Sequence, residues 1–113
     1  MSDDLWLDIC DDKRLLSRQV KEMRESGRAW AKADAEYRAL KAKAILEARD
    51  KGVSWTAATE VIYAREDVAK ALMQRDIAEV LYENDKEAIN ATKLQIRVNE
   101  AQLEREWNQA RRS

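Results

Sequence analysis

Residues 55 to 110 contain neither proline nor glycine, and their apolar residues recur every three or four positions. This is the period of an α-helix, so the pattern predicts one continuous helix that is about 84 Å long at 1.5 Å per residue. A helix of that length cannot bury its own apolar side chains and has to lie against another helix. The sequence therefore predicts an elongated, all-α protein that acts through contact with other proteins.

A single break interrupts the helical pattern, between the basic end of one helix and the start of the next. Gly52 suits the left-handed conformation that ends a helix, and the Ser54 hydroxyl suits a cap on the free amides of a new one. Such a short connection makes the two helices antiparallel neighbours, so we predict a long, coiled-coil-like antiparallel helical hairpin. The predicted single domain, residues 1–113, comprises a first helix over about 4–49, a turn at 50–54 and a second helix over about 55–110.

Two positions leave the course of the first helix open. Gly27 falls on its apolar seam, where glycine costs about 1 kcal/mol of helix propensity relative to alanine. This glycine indicates either a kink or the close approach of a neighbouring helix, and the unbroken phase of the pattern favours close approach. Residues 3–10 either continue the helix or form a separate turn, since Asp11 and Asp12 are suitable caps for a fresh start near 10–12.

The length of the turn predicts which residues of the two arms meet. Arms that turn near residue 52 bring together positions whose numbers sum to about 104, because both arms rise 1.5 Å per residue. This count places Trp30 near Met73 and Met23 near Leu81. The predicted hairpin core consists of Leu16, Val20, Met23, Trp30, Tyr37, Leu40, Met73 and Leu81.

The last part of the second helix carries two apolar stripes, where a surface helix usually carries one. One stripe holds Ile89, Ile96, Leu103 and Trp107, and the nearly opposite stripe holds Ala91, Leu94, Val98 and Ala101. One hairpin covers only one stripe, so we predict a homo-oligomer, a four-helix dimer or a larger bundle. The alternative is a single chain whose N-terminal segment folds back over the second stripe. The candidate oligomer interface consists of Ile89, Leu94, Ile96, Val98, Leu103 and Trp107.

The four tryptophans have different expected roles. Trp30 belongs to the predicted core, and Trp55 either packs over the hairpin turn or stands exposed as an anchor for a partner. Trp6 and Trp107 lie at opposite ends of the chain, which the hairpin brings close. Tryptophan is enriched at interface hot spots, so we expect these two side chains to pack at the end of a dimer.

The residue types needed for catalysis are scarce. The chain has no histidine, one cysteine (Cys10) and two isolated glycines, which removes the commonest general base, a cysteine metal cluster and a phosphate-binding loop. The glutamates of the second helix lack the Glu-x-x-His pairs of a di-iron bundle. We therefore expect no enzyme activity, no catalytic residues, no metal and no cofactor.

Charge and hydropathy favour a soluble cytoplasmic protein. The net charge is −1, so no overall attraction to nucleic acid or anionic membrane is expected. The N-terminus lacks the basic start and apolar run of a signal peptide, and no apolar run approaches the 18 residues needed to cross a bilayer. A single cysteine fits a reducing compartment, which predicts the cytoplasm.

Direct nucleic-acid binding is the alternative function that the residues themselves suggest. The candidate phosphate-contacting residues lie along one side of the first helix, roughly opposite its apolar seam: Arg14, Arg18, Lys21, Arg28 and Lys32. A basic stripe can follow a phosphate backbone. Glu25 interrupts this stripe, the isoelectric point is 5.6, and no aromatic residue is interleaved for base stacking. An ordinary solvated face is the more common use of such a pattern.

Several segments resemble a family of small helical proteins from phages and prophages of Gram-positive bacteria. The resemblance rests on residues 74–83, 87–90 and 100–107, on the opening segment 5–9 and on the Gly52 turn, so it covers nearly the whole chain. Genes of this family lie in the early region, near single-strand annealing recombinases and single-stranded DNA-binding proteins. The resemblance implies a phage accessory or adaptor protein in the host cytoplasm, with phage recombination or replication proteins as partners. Inhibition of a host defence protein is a further alternative.

Overall fold

The protein is described by a computed structural model that covers residues 2–112. These residues form α1 (Ser2–Asp50), α2 (Trp55–Val61), a 3-10 helix (Ile62–Ala64) and α3 (Glu66–Arg112), and no strand occurs among them. The predicted all-α helical hairpin is confirmed. Its assembly into a four-helix or larger bundle stays a prediction.

Helix α1 is continuous from Ser2 to Asp50, so the alternative of a fresh start near residues 10–12 is wrong. Its end follows the Schellman pattern, in which the last carbonyl groups accept hydrogen bonds from the residues that follow. Gly52 has a positive φ of 88° and its amide donates to the Arg49 carbonyl over 2.9 Å, while the Val53 amide donates to Ala48 over 3.1 Å. Ser54 then caps α2 as predicted, since its hydroxyl accepts from the Ala57 amide over 3.3 Å.

The second arm is interrupted, which contradicts the predicted continuous helix over about 55–110. Helix α2 ends at Val61, and Arg65 adopts an extended conformation (φ −72°, ψ 131°) before α3 begins. The Arg65 guanidinium lies 2.6 Å from a Glu47 carboxylate oxygen and 2.9 Å from one of Asp67. Residues 61–66 contain neither glycine nor proline. At the break, Arg65 instead forms ion pairs with two carboxylates, one from each arm.

The chain divides into two compact units, each built from antiparallel segments of both arms. The turn unit comprises residues 25–82, and the terminal unit comprises the segment up to residue 24 together with the segment from residue 83 onward. The core of the turn unit consists of Tyr37, Ala44, Ile45, Ala58, Ile62 and Val68. Ala58 and Val68 are fully buried, so the short α2 and the start of α3 both contribute to this core.

Gly27 marks a close approach and not a kink. Helix α1 runs through it without interruption, and a Cβ atom placed there would lie 3.2 Å from the ring of Tyr82. That ring stacks on Trp30 with the centroids 5.7 Å apart and the planes inclined by 12°. The glycine therefore makes room for an aromatic ring of the opposite arm.

The break in the second arm also explains why the predicted contacts are displaced. Trp30 stacks on Tyr82 rather than on Met73, and Tyr37 lies against Arg75. Residues 51–65 close the hairpin as separate short elements, so counting positions from Gly52 along a straight arm pairs the wrong residues. The expected places of Met73 and Leu81 in the core are wrong, since these side chains are 57% and 55% exposed. Tyr37 is buried as predicted, and the other expected core residues are half-buried: Leu16, Val20, Met23, Trp30 and Leu40.

The terminal unit has a thinner core, made mainly of isoleucines. Ile9 on α1 and Ile89 and Ile96 on α3 are buried. Thr92 is buried between the latter two, and its hydroxyl donates to the Ala88 carbonyl one turn earlier over 3.1 Å. One of the two predicted stripes of α3 therefore packs against α1 within the same chain.

Candidate interaction surfaces

A shallow apolar groove of about 530 Å³ follows α3 in the turn unit. We call it the turn-unit groove; it is lined by Tyr63, Ala69, Leu72, Met73, Asp76, Ile77, Val80 and Leu81. Met73, Ile77 and Val80 follow one another at helical spacing on one side of α3, and each is more than half exposed. Asp76 is the only charged residue of the lining, so the groove suits the apolar face of another helix.

A pair of tyrosines lies at the Tyr63 end of this groove. The hydroxyl oxygens of Tyr37 and Tyr63 are 3.2 Å apart. Burial, together with the hydrogen bond to Tyr63, raises the pKa of Tyr37 to about 12, whereas the same hydrogen bond lowers the pKa of Tyr63. Both directions follow if Tyr37 is the donor. The Lys41 ammonium lies 5.8 Å from the centre of the Tyr63 ring and, with its own hydrogen bond, lowers the pKa of Tyr63 further.

A second concave surface, of about 430 Å³, lies in the terminal unit. The lining of this terminal cleft comprises Trp6, Ile9, Lys13, Glu100, Leu103, Glu104 and Trp107. Trp6 and Trp107 both border the cleft, as the hairpin prediction required, and they are 56% and 64% exposed. Their expected role in packing at the end of a dimer stays a prediction.

The outward side of α3 in the terminal unit carries the second predicted stripe. Leu94 is 60% exposed and Val98 is 52% exposed, so the N-terminal segment does not fold back over them. Ile89 and Ile96, by contrast, are wrong as interface residues, because they are buried against α1 in their own chain. Leu103 is half-buried beside the terminal cleft. The expected interface therefore reduces to the outward stripe and the exposed edge of the cleft.

The five candidate phosphate-contacting residues are exposed. Arg14, Arg18 and Lys21 belong to the terminal unit, and Arg28 and Lys32 belong to the turn unit. Arg14 lies 3.0 Å from a carboxylate oxygen of Asp11, so part of its charge is balanced within its own helix. The stripe is therefore divided, with three of its residues in the terminal unit and two in the turn unit.

The turn-unit groove was missed at the level of the sequence because the predicted pairing placed two of its lining residues inside the core. The spacing of Met73, Ile77 and Val80 was the available signal, but spacing alone does not say which neighbour an apolar side chain meets. The same ambiguity applied to Trp55, which proves to be 60% exposed. The ion pairs of Arg65 could not be predicted from the spacing of apolar residues, because they involve only charged side chains.

Across residues 2–112, no helix combines the length and the apolar character that a bilayer span requires. In the same part of the chain, acidic and cysteine side chains do not converge in threes as a metal site would need. The sequence matches no protein-family model, and no curated protein and no solved structure is significantly similar to it.

Proposed function

We propose that this chain is a non-enzymatic adaptor that acts in the cytoplasm by binding other proteins and by self-association. The observation that carries the proposal is the set of large apolar side chains left exposed on α3 in both units. Met73, Ile77 and Val80 are exposed in the turn unit, and Leu94 and Val98 in the terminal unit. Contiguous exposed apolar surface of this kind favours association, because burying it removes apolar area from water.

The turn-unit groove supports binding of an amphipathic helix from a protein partner. Its residues repeat at helical spacing along α3, so a second helix lying beside α3 meets a continuous apolar side. Asp76 at the edge favours a partner with a basic residue beside its apolar stripe. The resemblance to phage and prophage proteins suggests phage recombination or replication proteins as the source of that helix.

The partner can be identified by affinity capture from cells infected with a phage that encodes this protein. The informative variant is Ile77→Lys, which places a charge in the groove at a side chain that is 53% exposed and so does not disturb the core. Gln74→Lys is the matched control, because Gln74 is exposed on the same helix and does not line the groove.

We expect the unmodified chain and Gln74→Lys to recover the same phage protein and Ile77→Lys to lose it. Recovery of the same proteins by all three chains, or of none by any of them, would contradict the adaptor proposal. The capture reports on the groove alone, so its result is independent of self-association through the terminal unit.

Phosphate binding by Arg14, Arg18 and Lys21 is a second candidate function, since all three are exposed on one side of α1 within one unit. Reversal of these three charges should abolish a salt-sensitive gel shift with DNA, because the contacts would be electrostatic. The absence of any shift by the unmodified chain at low salt would eliminate this candidate and leave the adaptor proposal standing.

A further inference from the structure

Eight exposed residues form a regular seam along the outward side of α3 in the terminal unit. They are separated alternately by three and four positions, which keeps them on one side of a helix for about 36 Å. The seam consists of Asn84, Glu87, Ala91, Leu94, Val98, Ala101, Arg105 and Asn108, and each of these residues is exposed. Alternation of three and four is the spacing of the contact positions in a coiled coil.

The seam has a palindromic order of side-chain types. Read from either end, it runs amide, charge, alanine and aliphatic, and the two charges have opposite sign. A second copy laid antiparallel and centred at residue 96 therefore brings together residues of matching type at every level. The four kinds of pair are Asn84 with Asn108, Glu87 with Arg105, Ala91 with Ala101, and Leu94 with Val98, each formed twice.

The chemistry of the levels favours this register over its neighbours. The central Leu94 and Val98 side chains bury apolar surface, and the alanines beside them let the two helix backbones approach closely. Sliding one helix by seven residues would place Glu87 against Val98 and leave a carboxylate facing an aliphatic side chain. Parallel alignment would place each Glu87 against its own copy, and like charges at facing positions destabilise a pair.

We propose that this seam binds a second copy of the chain, antiparallel and related by a two-fold axis at the level of residue 96. The proposal rests on the self-association included in the proposed function, and it adds the surface, the orientation and the register. In one copy the Arg105 guanidinium donates to the neutral side-chain oxygen of Gln102 over 2.8 Å. Pairing supplies Glu87 of the second copy as a carboxylate partner. The opposite side of α3 is already occupied, since Ile89 and Ile96 are buried against α1.

One residue works against the pairing and offers an independent check. Arg97 flanks the seam close to the axis, so its own copy lies nearby in the second chain. Like charges there repel, although exposed side chains are screened by salt. Substitution Arg97→Gln should therefore tighten the dimer at low salt. A weaker dimer after this substitution would contradict the proposed position of the axis.

The sharpest test is a set of charge reversals followed by sedimentation analysis. The chain has a mass of 13.1 kDa, so a dimer has about 26 kDa. We expect the unmodified chain to be dimeric, and Glu87→Arg or Arg105→Glu alone to be monomeric because each creates two like-charge pairs. The double variant should be dimeric again, and an equimolar mixture of the two single variants should form a mixed dimer. Lys93→Glu is the control, since Lys93 is exposed on α3 outside the seam.

Circular dichroism should show unchanged helix content for all of these variants, because the altered side chains are exposed in the single chain. An unmodified chain that stays monomeric at high micromolar concentration would overturn the proposal. So would a dimer that the single reversals leave intact; in that case self-association through another surface remains, and the groove variants still test the adaptor function.

Disulfide trapping tests the register separately. In a Cys10→Ser background, an oxidised mixture of Leu94→Cys and Val98→Cys chains should form the mixed covalent dimer, because these positions share one level of the seam. Each variant alone should cross-link far less. Cross-linking of Leu94→Cys to itself in preference to the mixture would indicate a parallel pair and overturn the proposal.

Discussion

Among single residues, Tyr37 and Tyr63 show most clearly how the surroundings of a side chain change its pKa. The two hydroxyl groups share one hydrogen bond, yet Tyr37 is buried and Tyr63 is 40% exposed beside Lys41. Burial and the hydrogen bond to Tyr63 raise the pKa of Tyr37 to about 12, while the hydrogen bonds to Tyr37 and Lys41 lower the pKa of the exposed Tyr63. Tyrosine ordinarily ionises near pH 10, so the pair should titrate on both sides of that value.

We expect Tyr37→Phe to narrow the ultraviolet titration of the tyrosines. The step near pH 12 should disappear, and the pKa of Tyr63 should rise toward its usual value because its hydrogen-bond donor is gone. In the unmodified chain, the unfolded state ionises Tyr37 near pH 10 and the folded state near pH 12. The stability that neutral Tyr37 contributes is therefore complete below pH 10 and is lost as the pH rises to about 12. An unchanged titration curve would contradict the assignment of Tyr37 as donor.

Among the elements, the break between α2 and α3 is the feature that most changes the fold from a plain two-helix hairpin. Arg65 is extended and contacts both Glu47 and Asp67, and the latter also accepts the Val68 amide at the start of α3 over 2.8 Å. The acidic residues Glu66 and Asp67 then face the positive end of the α3 dipole. The break therefore begins a new helix with two acidic residues in its first turn.

We expect Arg65→Ala to lower the melting temperature at neutral pH. The melting temperature of this variant should also fall less than that of the unmodified chain when the pH is lowered. The Arg65 guanidinium holds the pKa of both Glu47 and Asp67 below their usual values. The stability from these ion pairs is therefore present above the ordinary carboxyl pKa values, 4.5 and 3.8, and is lost as the pH falls through the lowered ones. Arg65→Lys is the matched control, because it keeps the charge. Equal melting temperatures for the alanine variant and the unmodified chain between pH 3 and 7 would refute this role.

The sequence was sufficient to predict the helices that depend on local signals and insufficient to predict contacts that depend on register. Gly52 and Ser54 act through their own backbone neighbours, so the turn and the cap of α2 were correctly placed. The interruption of the second arm at Arg65 involves Glu47 from the other arm. No pattern in the neighbouring residues predicts this interruption. This one omission displaced the pairing and put Met73 and Leu81 in the core. The outward stripe with Leu94 and Val98 was recognised, because exposure of one stripe follows when its opposite packs on α1.

At the scale of the whole molecule, the outward side of α3 predicts different effects of one substitution in a single chain and in the proposed dimer. Leu94 and Val98 are not part of the buried core of a single chain. The substitution Val98→Asp should therefore change the free energy of unfolding of a dilute single chain by less than about 0.5 kcal/mol. In the proposed dimer the same carboxylate would be buried without a partner, which costs about 3–5 kcal/mol. Sedimentation equilibrium should therefore show a dissociation constant at least a hundredfold higher. An unaltered constant would mean that Val98 lies outside the contact.

The turn-unit groove acquires a different significance once two copies of the chain are joined through their terminal units. A symmetric pair carries every remaining surface twice, so it presents two grooves for each assembly. A partner with repeated subunits, such as a ring or a filament, can then bind both grooves at once. Such a partner dissociates only when both contacts are broken at the same time. Avidity of this kind multiplies the strength of a modest contact without any new interaction at the groove.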